Sequence, residues 1–357
     1  MAVTLKDIAE KTGVSPSVVS TVLSGRDNGT FVSETTRRKV LQVAELLHYT
    51  PVRSGRPRGS RRLRRQRTEQ FIGVWEADYA PSTAFTLQSL QAALREYAVD
   101  SEAEAEDDYG LRLLSPDDLP RLDALGIMGM VLLTPALLPR EAAAASIPCV
   151  MMGEVDNAPR EWVQVHVDSF AGGKVIGDHF WELGHRRMAF VAPQSTPRVT
   201  RQQFQGMQAS WAARGGSIHH ILPAPYDTVR SFVEREQVRR VVQTLLGPEA
   251  GVPGHPTAIA CSDETVAAVV AQTLADLGRR VPQDVSLVCF SDTPRLAENL
   301  SPPVTALRHP LSLIARAAVD QLYALHDADP PAPDALRDFA FPGELIVRAS
   351  SAPPRQN

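Results

Sequence analysis

Two groups of side chains near the start of the chain have the chemistry to grip a polyanion. The first is a set of small hydrogen-bonding residues, Ser15-Pro16-Ser17 followed by Ser20-Thr21. Hydroxyls donate to phosphate oxygens and either donate to or accept from base edges, while proline offers only apolar surface. The second is residues 51–67, where eight arginines, Arg53, Arg56 and Arg58 among them, stand with the helix-opposing Gly55, Pro57 and Gly59. Each arginine set against a phosphate releases counterions and adds salt-dependent affinity. Extended arginines also suit the narrow minor groove of A·T-rich duplex. The same tract reads alternatively as a flexible linker whose charge serves only solubility.

The hydroxyls need a frame, and the surrounding residues predict two helices joined by a tight turn. Thr4 can cap the first helix, and Asp7 sits in its first turn, where the helix dipole favours a carboxylate. Leu5, Ile8 and Ala9 recur at helical spacing. Gly13 falls where the helix stops and the turn needs positive φ. Ser15 caps a second helix, and Pro16 takes its first position, where a missing N–H costs nothing. Val18, Val19, Val22 and Leu23 turn inward, leaving Ser17, Ser20 and Thr21 to face out. This is the geometry of a helix-turn-helix, whose second helix enters the major groove. Spacing alone also admits an ordinary surface helix pair. A third helix follows from a cap at Ser33, with Val40, Val43, Ala44 and Leu47 as its apolar stripe, and Tyr49-Thr50-Pro51 ends it. Between them Gly25 to Phe31 reads as a loop beside the duplex.

The charge distribution agrees with a polyanion partner confined to the front. The 357 residues carry a net charge of −4, but residues 1–70 hold 14 Lys/Arg against 6 Asp/Glu, and the remainder 23 against 35. No apolar run approaches a membrane span, and the start reads as a capped helix, not a secretory signal, so a cytoplasmic protein is expected. The three cysteines, Cys149, Cys261 and Cys289, lie in apolar strand-like runs and read as core residues, with no metal-ligand or cofactor motif.

From Phe71 onward apolar runs alternate with amphipathic segments. Strands are expected at Phe71–Trp75, Met130–Leu133, Pro148–Met152, Val163–Val167, Arg187–Val191, Ala258–Cys261 and Val285–Phe290. Helices are expected at Leu87–Tyr97, around Glu141–Ala145, and at Ala171–Leu183, Arg201–Arg214, Val229–Leu246 and Glu264–Leu277. Such alternation implies parallel sheets with helices on both faces, and some 290 residues are too many for one such sheet. Two lobes are therefore expected. The acidic run Asp100 to Asp108 occupies the place of the second strand and cannot be one, so that strand is displaced or lost.

Together these residues resemble the LacI/GalR family of bacterial transcriptional repressors. The head carries Thr4-Leu5-Lys6-Asp7-Ile8-Ala9, Gly13-Val14-Ser15, Val19-Ser20, Val32-Ser33-Glu34-Thr35-Thr36-Arg37 and His48-Tyr49-Thr50-Pro51. The body carries Val165-His166-Val167-Asp168, Leu183-Gly184-His185-Arg186-Arg187, Ser262-Asp263-Glu264 and Glu344-Leu345-Ile346-Val347-Arg348. The resemblance implies a small all-α helix-turn-helix headpiece (1–50), a hinge (51–70) and an α/β two-lobed periplasmic-binding-protein-like domain (71–357). Lobe one is expected over 71–166 plus 292–325, and lobe two over 167–291 plus 326–350. It further implies a homodimer on a palindromic operator, with a small effector between the lobes altering operator affinity.

Carried over by position, Pro16, Ser17 and Thr21 match base-reading residues, and Ser15 and Ser20 match phosphate contacts. Thr4, Arg53, Arg56 and Arg58 complete the expected DNA-contacting set. The hinge departs from the family pattern: Arg58 stands in place of a leucine that wedges a base step, and Gly55-Arg56-Pro57-Arg58 is similar to an AT-hook. For the effector, Asp263 matches a family aspartate that accepts from ligand hydroxyls, although a carboxylate there also serves as a helix cap or ion-pair partner. Tyr226 matches a stacking aromatic, and Arg201, Gln203 and Asp292 complete the set. Gln203 replaces a family arginine, with Arg201 two residues earlier, and Leu300 stands where sugar-binding members have a ring.

Three functions compete. A ligand-responsive repressor explains head, charge split and body together. An enzyme is disfavoured by the lack of a GxSxG, P-loop, GxGxxG or acid/base constellation. An architectural DNA-binding protein would use the arginine tract and ignore ligands.

Overall fold

The structure, a computed structural model, describes residues 5–24, 34–46, 70–75, 83–100, 109–122, 124–133, 147–156, 158–159, 162–192, 197–215, 217–221, 235–246, 255–292, 296–327 and 337–355.

The head is three helices, α1 (Leu5–Thr12), α2 (Pro16–Ser24) and α3 (Glu34–Leu46). Ile8, Ala9, Val19, Val22, Val40 and Ala44 are buried together, so the three apolar stripes close on one another. Gly13 has φ of 72°, the left-handed turn conformation expected from its position, and its N–H donates to Ala9 O at 2.9 Å. Thr12 Oγ1 also donates back, to Ile8 O at 2.6 Å, which closes the last turn of α1.

The body contains two six-stranded sheets. The first lobe is built from β1 (Gln70–Trp75), α4 (Thr83–Asp100), β2 (Tyr109–Leu114), β3 (Ile127–Leu132), β4 (Cys149–Met151) and β5 (Val163–Val167). The second takes α5 (Ser169–Glu182), β6 (Arg187–Val191), α6 (Pro197–Trp211), β7 (Ser217–Ile221), α7 (Arg235–Leu246), β8 (Ala258–Cys261), α8 (Glu264–Asp276), β9 (Ser286–Cys289) and β10 (Thr305–Arg308). The chain then returns to the first lobe for α9 (Leu311–Asp327) and β11 (Asp338–Phe341), and crosses once more for β12 (Glu344–Ile346). Strand orders are β11-β5-β4-β3-β1-β2 and β12-β10-β9-β8-β6-β7. All pairings are parallel except β10 with β12.

Both sheets are covered on two faces, which is why β3, β4, β8 and β9 read as unbroken apolar runs and are buried throughout. On the first sheet, α4 and α9 cover one face with Leu90, Ala93, Leu94, Ile314, Ala318 and Leu322, and Tyr97 stacks on Tyr323 with ring centroids 4.0 Å apart. On the second, α5 and α6 cover one face with Ile176, Phe180, Met207 and Trp211, and α7 and α8 cover the other with Val238, Val242, Val266 and Val270.

The structure decides one open alternative and corrects two expectations. The second strand is displaced, as one of the two alternatives held: β2 begins at Tyr109, after the acidic run, and pairs with β1. The expected lobe division is wrong at two strands. β10 falls within 292–325, expected in the first lobe, but it pairs with β9 in the second sheet. β11 falls within 326–350, expected in the second, but Phe339 to Phe341 run in register with Val165 to Val167 in the first. The pairing partners decide membership here, because β10 and β11 lie on the two sides of the α9 excursion. The strands β7, β10, β11 and β12 and the helix α9 are not among the elements the sequence predicts; β7, β11 and β12 are edge strands without a continuous apolar run. The helix expected around Glu141–Ala145 lies outside the described residues, as does the start of the one expected at Val229–Leu246.

Candidate functional site

In the head, Ser15 and Pro16 stand exposed at the start of α2, where a helix entering a groove presents its first residues. Ser15 Oγ faces the Val18 N–H at 3.4 Å, a long cap, and Ser15 O accepts from Val19 N–H at 3.1 Å. Ser17, Ser20 and Thr21 lie within α2, with side chains outside the description. Thr4, Arg53, Arg56 and Arg58 also lie outside the described residues.

In the second lobe, strand order reverses between β6 and β8, and the carboxyl ends of strands at such a reversal are where parallel sheets receive ligands. Asp263 follows β8 at that place. Its Oδ1 accepts from Val266 N–H at 2.8 Å, capping α8, and its Oδ2 accepts from Ser262 Oγ at 2.9 Å. The carboxylate is thus a helix cap in this conformation. Asp292, just past β9, is an ion-pair partner: Arg308 donates to it at 2.8 and 3.0 Å, Arg348 at 2.8 and 2.9 Å, and its side chain is only 3% exposed. Arg348 also donates to Val304 O at 2.7 Å, so Asp292 ties β10 to the segment after β12. Glu264 is buried and accepts a hydrogen bond from Ser291.

Gln203 and Arg201 part company. Gln203 is buried in the seam between α5 and α6, and its Oε1 finds no hydrogen-bond partner among the described residues. Arg201 points the other way and pairs with Asp156 of the first lobe at 2.6 Å. Tyr226 lies outside the described residues. The structure therefore brings Asp263 and Asp292 to neighbouring strand ends of the second lobe, and turns Arg201 of the same lobe toward Asp156 of the first.

A polar cluster between the lobes went unread in the sequence. Arg198 donates to Val155 O at 2.8 Å and to Asp338 at 3.0 Å. Asp338 also contacts His166 Nε2 at 2.5 Å, and His166 Nδ1 lies 2.9 Å from Glu154. Burial alone would lower the His166 pKa, but hydrogen bonds to Asp338 and Glu154 outweigh it and push it up to about 9. The His166 bond in turn lowers Asp338. A signal for His166 existed in the Val165-His166-Val167-Asp168 motif; Arg198 and Asp338, 140 residues apart, gave none.

No helix among the described residues is long and apolar enough to cross a membrane. Buried Cys261 and Cys289 sit opposite one another on β8 and β9, and burial pushes both thiols up, as for inert core cysteines.

The comparisons with known proteins cover head and body alike. Residues 4–52 match bacterial regulatory proteins of the lacI family, and residues 177–351 match a periplasmic binding protein-like domain. The HTH-type transcriptional regulator MalR of Streptomyces coelicolor is 27% identical over 367 residues, covering 99% of this chain and 97% of that protein. The probable HTH-type transcriptional repressor ExuR of Bacillus subtilis is 24% identical over 336 residues, covering 90% and 91%. Among solved structures, a CelR–cellobiose complex is 24% identical with a TM-score of 0.61, covering 98% of this chain and 100% of that one. A regulator from Enterococcus faecium with bound ribose is 17% identical, also with a TM-score of 0.61, covering 80% and 99%. These two show a shared fold. With a helix-turn-helix head built around Gly13 and two parallel sheets joined by three crossings, this chain belongs to the LacI/GalR family of bacterial transcriptional regulators.

Proposed function

We propose that the chain is a repressor that binds a palindromic operator as a homodimer in the cytoplasm, and that a small molecule held between its lobes, a sugar or related metabolite, alters that binding. The observation that carries the reading is the exposed start of α2, with Ser15 and Pro16 set by the Gly13 turn, joined in one chain to a two-lobed body. Two heads related by a dimer axis read two half-sites, with Ser15 and Ser20 on phosphates and Pro16, Ser17 and Thr21 at base edges. The effector reading is supported by Asp263 at the strand-order reversal and by the ribose and cellobiose found on proteins of the same fold. Asp263 can accept from a ligand hydroxyl if Ser262 turns away. Tyr226 stacks on the ligand, with Asp292, Arg201 and Gln203 as further candidates for contact.

Selection from a random duplex library with the full chain tests the first part. A discrete sequence with two-fold symmetry is expected; enrichment of nothing beyond A·T content would replace the repressor with an architectural protein. Thermal shift against sugars and nucleosides tests the second, because a ligand that binds only the native state raises its melting temperature.

A further inference from the structure

The polar cluster between the lobes has a use that ligand binding does not absorb. Arg198 and Arg201 are three residues apart on α6, hence on one side of the helix, and that side faces the first lobe. Arg198 reaches Val155 O and Asp338; Arg201 reaches Asp156. The acceptors are themselves held. Val155 N–H donates to Gln164 Oε1 of β5 at 2.8 Å, and Asp338 is fixed by His166, which leans on Glu154 and on Val167 O at 2.8 Å. The first lobe therefore presents a preformed row of acceptors, and α6 brings two cations to it.

Among the described residues the chain crosses between the lobes at 167–169, 308–311 and 341–344. Turning one lobe on the other about these crossings moves α6 against the Val155–Asp156 segment and must break or remake the pairs. Arg201 and Asp156 are both nearly half exposed, at 46% and 43%, so water can replace the pair when it opens. Arg198 is 22% exposed and divides its donors between a carboxylate and a backbone carbonyl, which fixes its direction.

From this geometry we infer that Arg198 and Arg201 form a reversible latch with Val155, Asp156 and Asp338 that sets the angle between the lobes when no effector is bound. Arg201 is then a positioning residue for the second lobe. An effector acts by favouring an angle at which the latch is kept or one at which it is lost.

The test needs no DNA, so its outcome is separate from that of the repressor reading. Gln91→Cys on α4 and Ala275→Cys on α8 place one exposed label site on each lobe of the full chain. The three native cysteines are buried and do not compete for label. Labelled chain is diluted with excess unlabelled chain, so that each pair of labels reports one subunit, and the interlobe distance distribution is read by pulsed electron spin resonance. The parent should give one narrow peak. Arg198→Ala with Arg201→Ala should broaden or shift it, and Arg201→Asp with Asp156→Arg should bring back the parent peak. A distribution in the alanine variant that superimposes on the parent would overturn the latch. So would a shift that the exchanged pair fails to reverse, since the arginines would then act by something other than pairing.

Discussion

His166 and His185 are both buried, and their environments push them in opposite directions. His166 lies between two carboxylates and stays protonated up to about pH 9. Among the described residues no acid stands beside His185. Burial lowers it to about 4, against a weaker opposing bond to Ala352 O, and its neutral ring bonds Thr257 Oγ1 at 2.8 Å and Ser286 Oγ at 3.1 Å. The signs follow from which state holds the proton. Folding raises His166 above the ordinary 6.5, so its contribution is complete below pH 6.5 and lost as pH climbs through 9. Folding lowers His185, so its contribution is complete above pH 6.5 and lost as pH falls through 4. Each contribution is on the order of 3 kcal/mol at full development. Urea midpoints measured from pH 4 to 9 should fall on both sides, with His166→Gln flattening the alkaline limb and His185→Gln the acid one. Limbs unchanged by these substitutions would refute the assignment. That His185 would be buried and neutral was not legible in Leu183-Gly184-His185, because the partners that satisfy it come from β9, the segment before β8 and the C-terminal tail.

At the scale of elements, the contact between α5 and α6 depends on glycine. A Cβ on Gly173 would stand 2.2 Å from Gln203 O, and one on Gly206 would stand 2.1 Å from Phe170 O. Backbone meets backbone at both places, so nothing can rotate aside. At Gly177 the nearest atom is Ser210 Cβ at 2.9 Å, where a smaller shift suffices. Trp211 completes the seam, donating from Nε1 to Gly177 O at 2.7 Å and meeting Trp181 edge to face. Gly173→Ala and Gly206→Ala should each cost about 3 kcal/mol or more, and Gly177→Ala nearer 1 kcal/mol, by the usual price of overpacking. Tryptophan fluorescence during urea unfolding reads this directly, since Trp181 and Trp211 flank the seam. A reversed ranking would show that the helices can slide apart. The same seam explains Gln203: its position follows from helix packing, which a match by sequence position does not convey.

For the whole molecule, charge and connectivity govern behaviour. The charge split, a basic front on an acidic body, favours a polyanion at residues 1–70 over the remainder. If Arg56 and Arg58 each neutralise one phosphate, Arg56→Ala with Arg58→Ala should reduce the slope of log affinity against log salt by roughly 2, at about 0.9 per contact. Fluorescence anisotropy on the selected operator over a salt series measures it, and an unchanged slope would exclude the tract from the duplex. The alternating strands and helices of the body fixed its class and two-lobed form, because two-sided burial demands continuous apolar strands. They did not say which sheet β10 or β11 joins, since a strand's sequence reports that its faces are covered and not what lies at its edge.

By itself, then, the sequence determined the three-helix head, the Gly13 turn, the α5 and α8 helices, and the family. All of these rest on contacts within a few residues or on ordered motifs. Tertiary structure alone decided that Asp292 holds two arginines, that Arg201 serves the opposite lobe, and that Arg198 meets Asp338. Ion pairs between residues 16 to 140 apart depend on how strands and crossings bring distant segments together, and neither residue type nor spacing carries that geometry.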